Sequence, residues 1–92
     1  MRLISQDGKF DIPYDEIVVE LFDKCVVGRL KEYIGRDIIL GSYSTKEKAQ
    51  KAMEMLREKY KDYAKATNKS NFFTMFDYPK VFKFPQDEDV EV

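Results

Sequence analysis

Residues 44–64 read STKEKAQKAMEMLREKYKDYA, and they carry the strongest structural pattern in the sequence. Its opening, Ser44-Thr45-Lys46-Glu47, matches a capping box, in which the Ser44 side chain accepts a hydrogen bond from the backbone N–H of Glu47 at the start of a helix. Apolar residues then recur at the three- and four-residue spacing of a single helix face. They are Ala49, Ala52, Met53, Leu56, Tyr60 and Tyr63. The pattern predicts an amphipathic helix from about Thr45 to Ala64 with this face buried.

The residues before the helix predict antiparallel strands joined by tight turns. The pair Asp7-Gly8 lies between two short segments of mixed polarity and favours a hairpin that joins strands near residues 2–5 and 9–12. Two runs rich in β-branched residues follow, 16–22 and 25–33, with Asp23-Lys24 between them as a second turn. In this second hairpin one face of the later strand would carry Val27, Arg29, Lys31 and Tyr33.

Two further strands complete the predicted fold. Residues 37–43 contain Ile38-Ile39-Leu40, an apolar run typical of a strand covered on both faces. Residues 81–84 alternate in polarity, which predicts a short strand beside the first hairpin, and the acidic residues 86–92 are expected to be frayed. The predicted class is a single α+β domain over residues 1–92: an antiparallel meander of about four strands, one long helix packed on one face and a short C-terminal strand.

The composition excludes several kinds of chemistry. The 92-residue chain contains no histidine, which excludes imidazole-based catalysis and metal sites built on imidazole. Its single cysteine, Cys25, cannot form an internal disulfide and is expected to act as a small apolar residue at the start of a strand. The four glycines are scattered singly, so the sequence contains no glycine-rich phosphate loop. We therefore expect a non-enzymatic protein with no cofactor and no metal.

Charge and hydropathy bear on the partners and the location. The chain carries 16 basic and 17 acidic residues, and so lacks the basic excess that makes nucleic-acid binding the first expectation. Its longest apolar runs are far shorter than the roughly 20 residues that a membrane helix needs. No basic segment followed by an apolar segment opens the sequence. We expect a cytoplasmic protein with no membrane association.

The polar face of the predicted helix allows two interpretations. It mixes basic and acidic side chains, which is typical of a solvated surface. The alternative is a weak nucleic-acid interface, to which Arg29 and Lys31 of a neighbouring strand would also contribute. The helix residues that would form this interface are Lys48, Lys51, Arg57 and Lys59.

A cluster of aromatic residues follows the helix and also allows two interpretations. It consists of Phe72, Phe73, Phe76 and Tyr78. These side chains would either fold over the open end of the sheet and complete the core, or stay exposed as the large, rigid anchors that binding hot spots favour. We take the cluster as the candidate protein-binding surface, because its apolar density exceeds what the helix and strand patterns need.

Three parts of the chain resemble a family of small uncharacterised proteins of Gram-positive bacteria and of their prophages and mobile elements. The matching segments are MRLISQDG with DIPY (1–8 and 11–14), YSTKEKA with AMEML (43–49 and 52–56), and FKFP (82–85). Residues 17–34 do not contribute to the resemblance. It carries over no catalytic residue, and it implies a protein of mobile-element origin, some of which bind and inhibit host defence proteins.

From these observations we expect a protein-binding module. Its partner is another protein, which includes a second copy of the chain as a homodimer. The alternative function is weak nucleic-acid binding through the basic helix face.

Overall fold

A computed structural model describes residues 1–31, 37–68 and 81–92 of the chain, with the backbone alone for residues 63–68. Within these residues, six strands in two three-stranded sheets and one α-helix form the predicted α+β fold. The strands are β1 (Arg2–Ile4), β2 (Asp11–Pro13), β3 (Ile17–Phe22), β4 (Cys25–Leu30), β5 (Asp37–Ser42) and β6 (Val81–Lys83). The helix, α1, is Lys46–Asn68, and the short segments Tyr14–Glu16 and Asp87–Asp89 are 3-10 turns.

The first sheet contains the first predicted hairpin and the C-terminal strand, in the order β2-β1-β6. The Asp7-Gly8 turn is confirmed, with Gly8 at a φ of +77° that favours glycine. Asp7 Oδ1 accepts hydrogen bonds from Ser5 Oγ at 2.6 Å and from the Lys9 N–H at 3.0 Å. These bonds hold the pKa of Asp7 below its ordinary value of 3.8. Strand β6 lies beside β1, as predicted, and runs parallel to it.

The second sheet is the antiparallel meander β3-β4-β5. A two-residue turn joins β3 to β4, with Asp23 at a φ of +53° and Phe22 paired with Cys25. Strand β5 pairs with β4 across a register shift between Val26 and Val27. The predicted strands are divided between two sheets, because the polypeptide leaves the first sheet after Pro13 and begins a separate one at Ile17.

Gln6 links the two sheets at the free side of β5. Its backbone N–H donates to the Leu40 carbonyl at 2.7 Å. Its side-chain amide continues this pairing, since Nε2 donates to the Ser42 carbonyl at 3.1 Å and Oε1 accepts from the Ser42 N–H at 3.0 Å. Gln6 therefore occupies the place along β5 that a neighbouring strand would otherwise take.

The core lies on the side of the second sheet that faces α1. Helix residues Ala49, Ala52 and Leu56 are buried as predicted, and the two alanines are fully buried. Small side chains at these positions let the helix backbone approach the sheet closely. Both sheets and the C-terminal segment complete the cluster with Leu3, Ile12, Ile17, Val26, Ile38, Leu40, Tyr43, Phe82, Phe84 and Val90. Tyr60, predicted within the buried face, is 39% exposed and stacks on Tyr14.

The cap of α1 differs by one residue from the predicted one. Thr45 Oγ1, and not Ser44 Oγ, accepts a hydrogen bond from the backbone of the third helical residue, Lys48, at 3.1 Å. The helix also extends beyond Ala64, to Asn68. In the part of the chain that the structure describes, no helix is both long enough and apolar enough to cross a membrane.

The acidic C-terminal segment is anchored, so the expectation that residues 86–92 are frayed was wrong. Asp87 Oδ1 accepts hydrogen bonds from the Ser44 N–H at 2.8 Å and from the Ser44 hydroxyl at 3.1 Å. The Lys48 ammonium lies 3.5 Å from the same carboxylate, and Val90 is 3% exposed. A carboxylate at this point also interacts favourably with the N-terminal end of the α1 dipole. Sequence patterns cannot reveal this anchor, because its two ends lie far apart along the chain.

The Asp87 anchor predicts a loss of stability in acid. Hydrogen bonds from Ser44 and the charge of Lys48 lower the pKa of Asp87 from its ordinary 3.8. The stabilisation is therefore present above that value and is lost as the pH falls from 3.8 through the lowered pKa. We expect Asp87→Asn to be less stable than wild type at neutral pH and to lose less stability in this acid window. Thermal unfolding followed by circular dichroism across the window measures both effects.

Asp89→Asn is the matched control for Asp87→Asn. Asp89 belongs to the same 3-10 turn, but its side chain is exposed and forms no hydrogen bond or ion pair with any described residue. If Asp89→Asn changes the acid profile as much as Asp87→Asn does, the anchor has no special role.

Candidate protein-binding surface

The side of the β3-β4-β5 sheet that faces away from α1 carries a connected set of exposed side chains. Alternation along each strand places every second residue on this side. We call this set the outer sheet surface, and its members are Val18, Glu20, Phe22, Cys25, Val27, Arg29, Asp37 and Ile39. Among the described residues, no element packs against it.

The larger part of the outer sheet surface is apolar. Phe22 is 74% exposed, Ile39 59% and Val18 43%. Phe22 pairs with Cys25 across one strand boundary, and Val27 pairs with Ile39 across the other. These four side chains form a continuous patch at the hairpin end of the sheet. Contiguous exposed apolar surface of this kind marks interaction sites more often than isolated apolar residues do.

The smaller part is a row of charges centred on Arg29. Its guanidinium lies 3.2 Å from Asp37 on β5 and 3.6 Å from Glu20 on β3, so the row crosses all three strands. All three side chains are about half exposed. Ion pairs with this exposure contribute little to stability. They do give a partner both donors and acceptors beside an apolar patch.

A shallow hollow of about 320 Å³ joins the apolar patch to the row of charges. Its lining comes from Glu20, Phe22, Cys25, Val27, Arg29, Asp37 and Ile39. The hollow is wide enough for a large apolar side chain, with the Arg29 row at its rim. Cys25 is half-buried here, with its Sγ 3.8 Å from Ser42 Oγ. That position agrees with its expected role as a small apolar residue.

Metal-binding groups and shifted pKa values are the features of the described residues that bear on catalysis. These residues contain no group of three or more carboxylate or thiol side chains placed to hold a metal ion. The pKa values of Asp7 and Asp87 are lowered, whereas a general acid at neutral pH would need a raised one. Burial raises the pKa of Tyr43 to about 12, and its hydroxyl donates to the Pro85 carbonyl at 2.9 Å. Tyr43 is therefore a neutral structural group.

A second cleft, of about 510 Å³, lies between α1 and the start of β3. Tyr14 and Tyr60 stack at its wall with ring centroids 4.6 Å apart, and burial raises the pKa of Tyr14. Arg57 and Lys31 line it together with Asp15. The described side chains in this cleft include no buried polar atom that lacks a hydrogen-bond partner, so no unpaired group there points to a ligand.

Comparison with known protein families, curated proteins and solved structures gives a single result. No family model, curated protein or solved structure matches this chain. The functional argument therefore depends on the surface itself.

The structure leaves the predicted aromatic surface untested. Phe72, Phe73, Phe76 and Tyr78 lie outside the described residues. Their assignment as a protein-binding surface stays a prediction, and the outer sheet surface is a separate candidate.

The predicted basic residues of the helix do not all lie on one side. A helix turns by about 100° per residue, so Lys48, Lys51 and Lys59 lie within about 80° of one another around α1, while Arg57 lies on the flank opposite Lys48. Lys48 is occupied with Asp87, and Lys51 lies 3.9 Å from Glu54. Lys59, the fourth residue, is half-buried. Arg29, which would have extended this interface, is paired with two carboxylates.

Part of the outer sheet surface could be predicted from the sequence. Val27 and Arg29 do share a face, as predicted from their alternation. Ile39 was wrongly expected to be covered, because an apolar run of three residues looks the same whether one face or both faces are buried. Phe22 was passed over because its position, the last before a turn, says nothing about exposure.

Proposed function

We propose that this protein is a non-enzymatic protein-binding module and that the outer sheet surface holds its partner. The observation that supports this most directly is the pair Phe22 and Ile39, large apolar side chains left more than half exposed beside a hollow. Phenylalanine supplies a large contact area at low entropic cost. Arg29 at the rim is a residue type enriched in binding hot spots.

The partner we propose is a host protein in the cytoplasm, bound and inhibited by a chain of mobile-element origin. This part rests on the resemblance to small proteins of prophages and mobile elements, and a defence protein is the target class that the resemblance suggests. The surface chemistry adds that the partner should offer an apolar side chain for the hollow and charged groups opposite Glu20, Arg29 and Asp37.

Nucleic-acid binding through α1 has weaker support. Arg57 lies on a different flank from the other three basic residues. Two of those three, Lys48 and Lys51, have acidic neighbours, so few cations are free to follow one phosphate backbone. Binding that disappears as salt is raised, and that needs Lys51 and Arg57, would favour this alternative over ours.

Replacing Phe22 and Ile39 together by serine should abolish partner binding without unfolding the protein. Both side chains are exposed, so their loss removes contact area in the complex and little from the core. We expect at least about a tenfold loss of affinity, the size of a hot-spot effect. Tagged wild-type and variant proteins, used to capture proteins from host lysate with quantitative mass spectrometry, provide the measurement.

The matched control replaces two exposed valines elsewhere, Val81 and Val92, by serine. Proteins that wild type and control retain and the Phe22/Ile39 variant loses are partners of the outer sheet surface. A third variant, Phe72→Ser with Phe73→Ser, tests the aromatic cluster in parallel. If only this third variant loses the partner, the outer sheet surface is not the binding site.

A further inference from the structure

The two sheets have four edges, and three of them are short or closed. Strands β2 and β6 are three residues long, and β2 ends in Pro13, which has no N–H to donate. The free side of β5 is occupied over its C-terminal half, where Gln6 forms three hydrogen bonds with Leu40 and Ser42. Strand β3 is different: it is six residues long, and no described strand lies on its outer side.

Strand β3 lacks the features by which proteins protect an open edge. Its sequence, IVVELF, contains no proline, no lysine and one charge, and its pairing with β4 has no bulge. Leu21 is 40% exposed on the side of the sheet where α1 packs. Such a strand has both the backbone groups and the side chains to pair with another strand.

The register of the β3-β4 hairpin shows which backbone groups of β3 are free. In an antiparallel pair, residues that exchange hydrogen bonds with the neighbour alternate with residues whose N–H and C=O point the other way. The Lys31 N–H donates to the Glu16 carbonyl at 3.1 Å, so Glu16 faces β4. Every second residue after Glu16 has the same orientation, so the backbone groups of Val18, Glu20 and Phe22 also form hydrogen bonds with β4. The outward-facing donors and acceptors therefore belong to Ile17, Val19 and Leu21.

We infer that β3 pairs antiparallel with β3 of a second copy of this chain, which joins the two meanders into one six-stranded sheet. A two-fold axis through Val19 places Val19 opposite its own copy and Ile17 opposite Leu21 of the second copy. All the free donors and acceptors then meet. The exposed side chain of Leu21 is covered by an apolar neighbour.

The charge of Glu20 favours the register with its axis at Val19 over the register with its axis at Glu20. Moving the axis to Glu20 would place two glutamates directly opposite each other, and like charges in that position are destabilising. With the axis at Val19, each Glu20 lies opposite a valine, Val18 of the second copy. The edge is thus complementary to itself in the Val19 register, which an unrelated peptide would have to match by chance. This inference does not rest on the proposed function, since it is argued from the backbone edge of β3, although Val18, Glu20 and Phe22 of that strand also belong to the outer sheet surface.

The test is the oligomeric state of wild type and of Val19→Pro, measured by sedimentation equilibrium. Proline removes the N–H that points away from β4, so the variant loses no hydrogen bond within its own sheet. Each dimer loses two hydrogen bonds at its centre, and we expect the dissociation constant to rise at least about thirtyfold. Val19→Thr keeps the N–H and a β-branched side chain, and should remain dimeric.

A second variant, Leu21→Lys, keeps the test decisive if the proline variant does not fold. Leu21 is exposed, so lysine is tolerated in the single chain, but it replaces the apolar contact with Ile17 of the second copy. The inference is overturned if wild type is monomeric at millimolar concentration, or if a folded Val19→Pro or Leu21→Lys dimerises as tightly as wild type. Ile39→Ser, on β5, should leave the dimer unchanged, which separates this result from that of the partner-binding experiment.

Discussion

Phe84→Ala is expected to destabilise the protein by about 3–5 kcal/mol, the range for removing a buried phenylalanine side chain. Phe84 is 1% exposed and packs edge-to-face on Phe82, with ring centroids 5.1 Å apart. Its backbone N–H also donates to the Ile4 carbonyl at 3.0 Å, so the side chain is fixed in place and the cavity cannot easily collapse. Native domains are stable by only about 5–15 kcal/mol, so this variant should be largely unfolded on mild heating.

Phe22→Ala is the matched control, because it makes the same chemical change at a side chain that is 74% exposed. We expect it to lower the free energy of unfolding by less than about 0.5 kcal/mol. Urea denaturation of both variants measures the difference. Equal losses would mean that Phe22 is covered, and the outer sheet surface would then no longer be a candidate binding site.

Gly28→Val is expected to destabilise by about 3 kcal/mol through overpacking. Gly28 lies in the middle of β4 on the side that faces the core, and a side chain there would collide with Ile17. Leu40 Cδ1 also lies 3.0 Å from the position that a Cβ would take. Two large neighbours from two different strands cannot both move aside. The free energy of unfolding from urea titration is again the measurement.

A compensating substitution distinguishes overpacking from a general effect of losing glycine. Ile17→Ala removes the side-chain atoms nearest to the new Cβ, so valine at position 28 would partly fill the space that they leave. The double variant should be more stable than the sum of the two single effects predicts, by about 1 kcal/mol or more. Strict additivity would show that the steric explanation is wrong.

Local patterns predicted the elements of this fold well. The helix, both hairpin turns and the C-terminal strand follow from capping residues, turn residues and the spacing of apolar side chains, and each lies close to its predicted place. These signals are contained within a few consecutive residues, which is why a single sequence reveals them. The shift of the cap from Ser44 to Thr45 is of the size that such patterns cannot resolve.

The arrangement of the elements was harder to predict, for reasons that lie in particular residues. Gln6, Ser44 and Asp87 have their partners across the fold, and nothing near them in the sequence indicates those partners. The side chain of Ile39 points to the opposite face from those of Ile38 and Leu40, as in any strand, but which of the two faces is exposed depends on where the helix packs. The candidate binding surface is therefore a property of the packing, and only residues such as Val27 and Arg29 gave an early indication of it.

The position of Gln6 limits how far such a protein can polymerise. A chain with two open strand edges can add copies without end and grow into a fibre. Here the long edge at β3 is available, while the opposite edge of the same sheet is closed by an amide that completes the hydrogen bonds of Ser42. Over residues 40–42 no further strand can pair with β5 in this way, which favours a sheet that stops at two subunits over one that keeps growing.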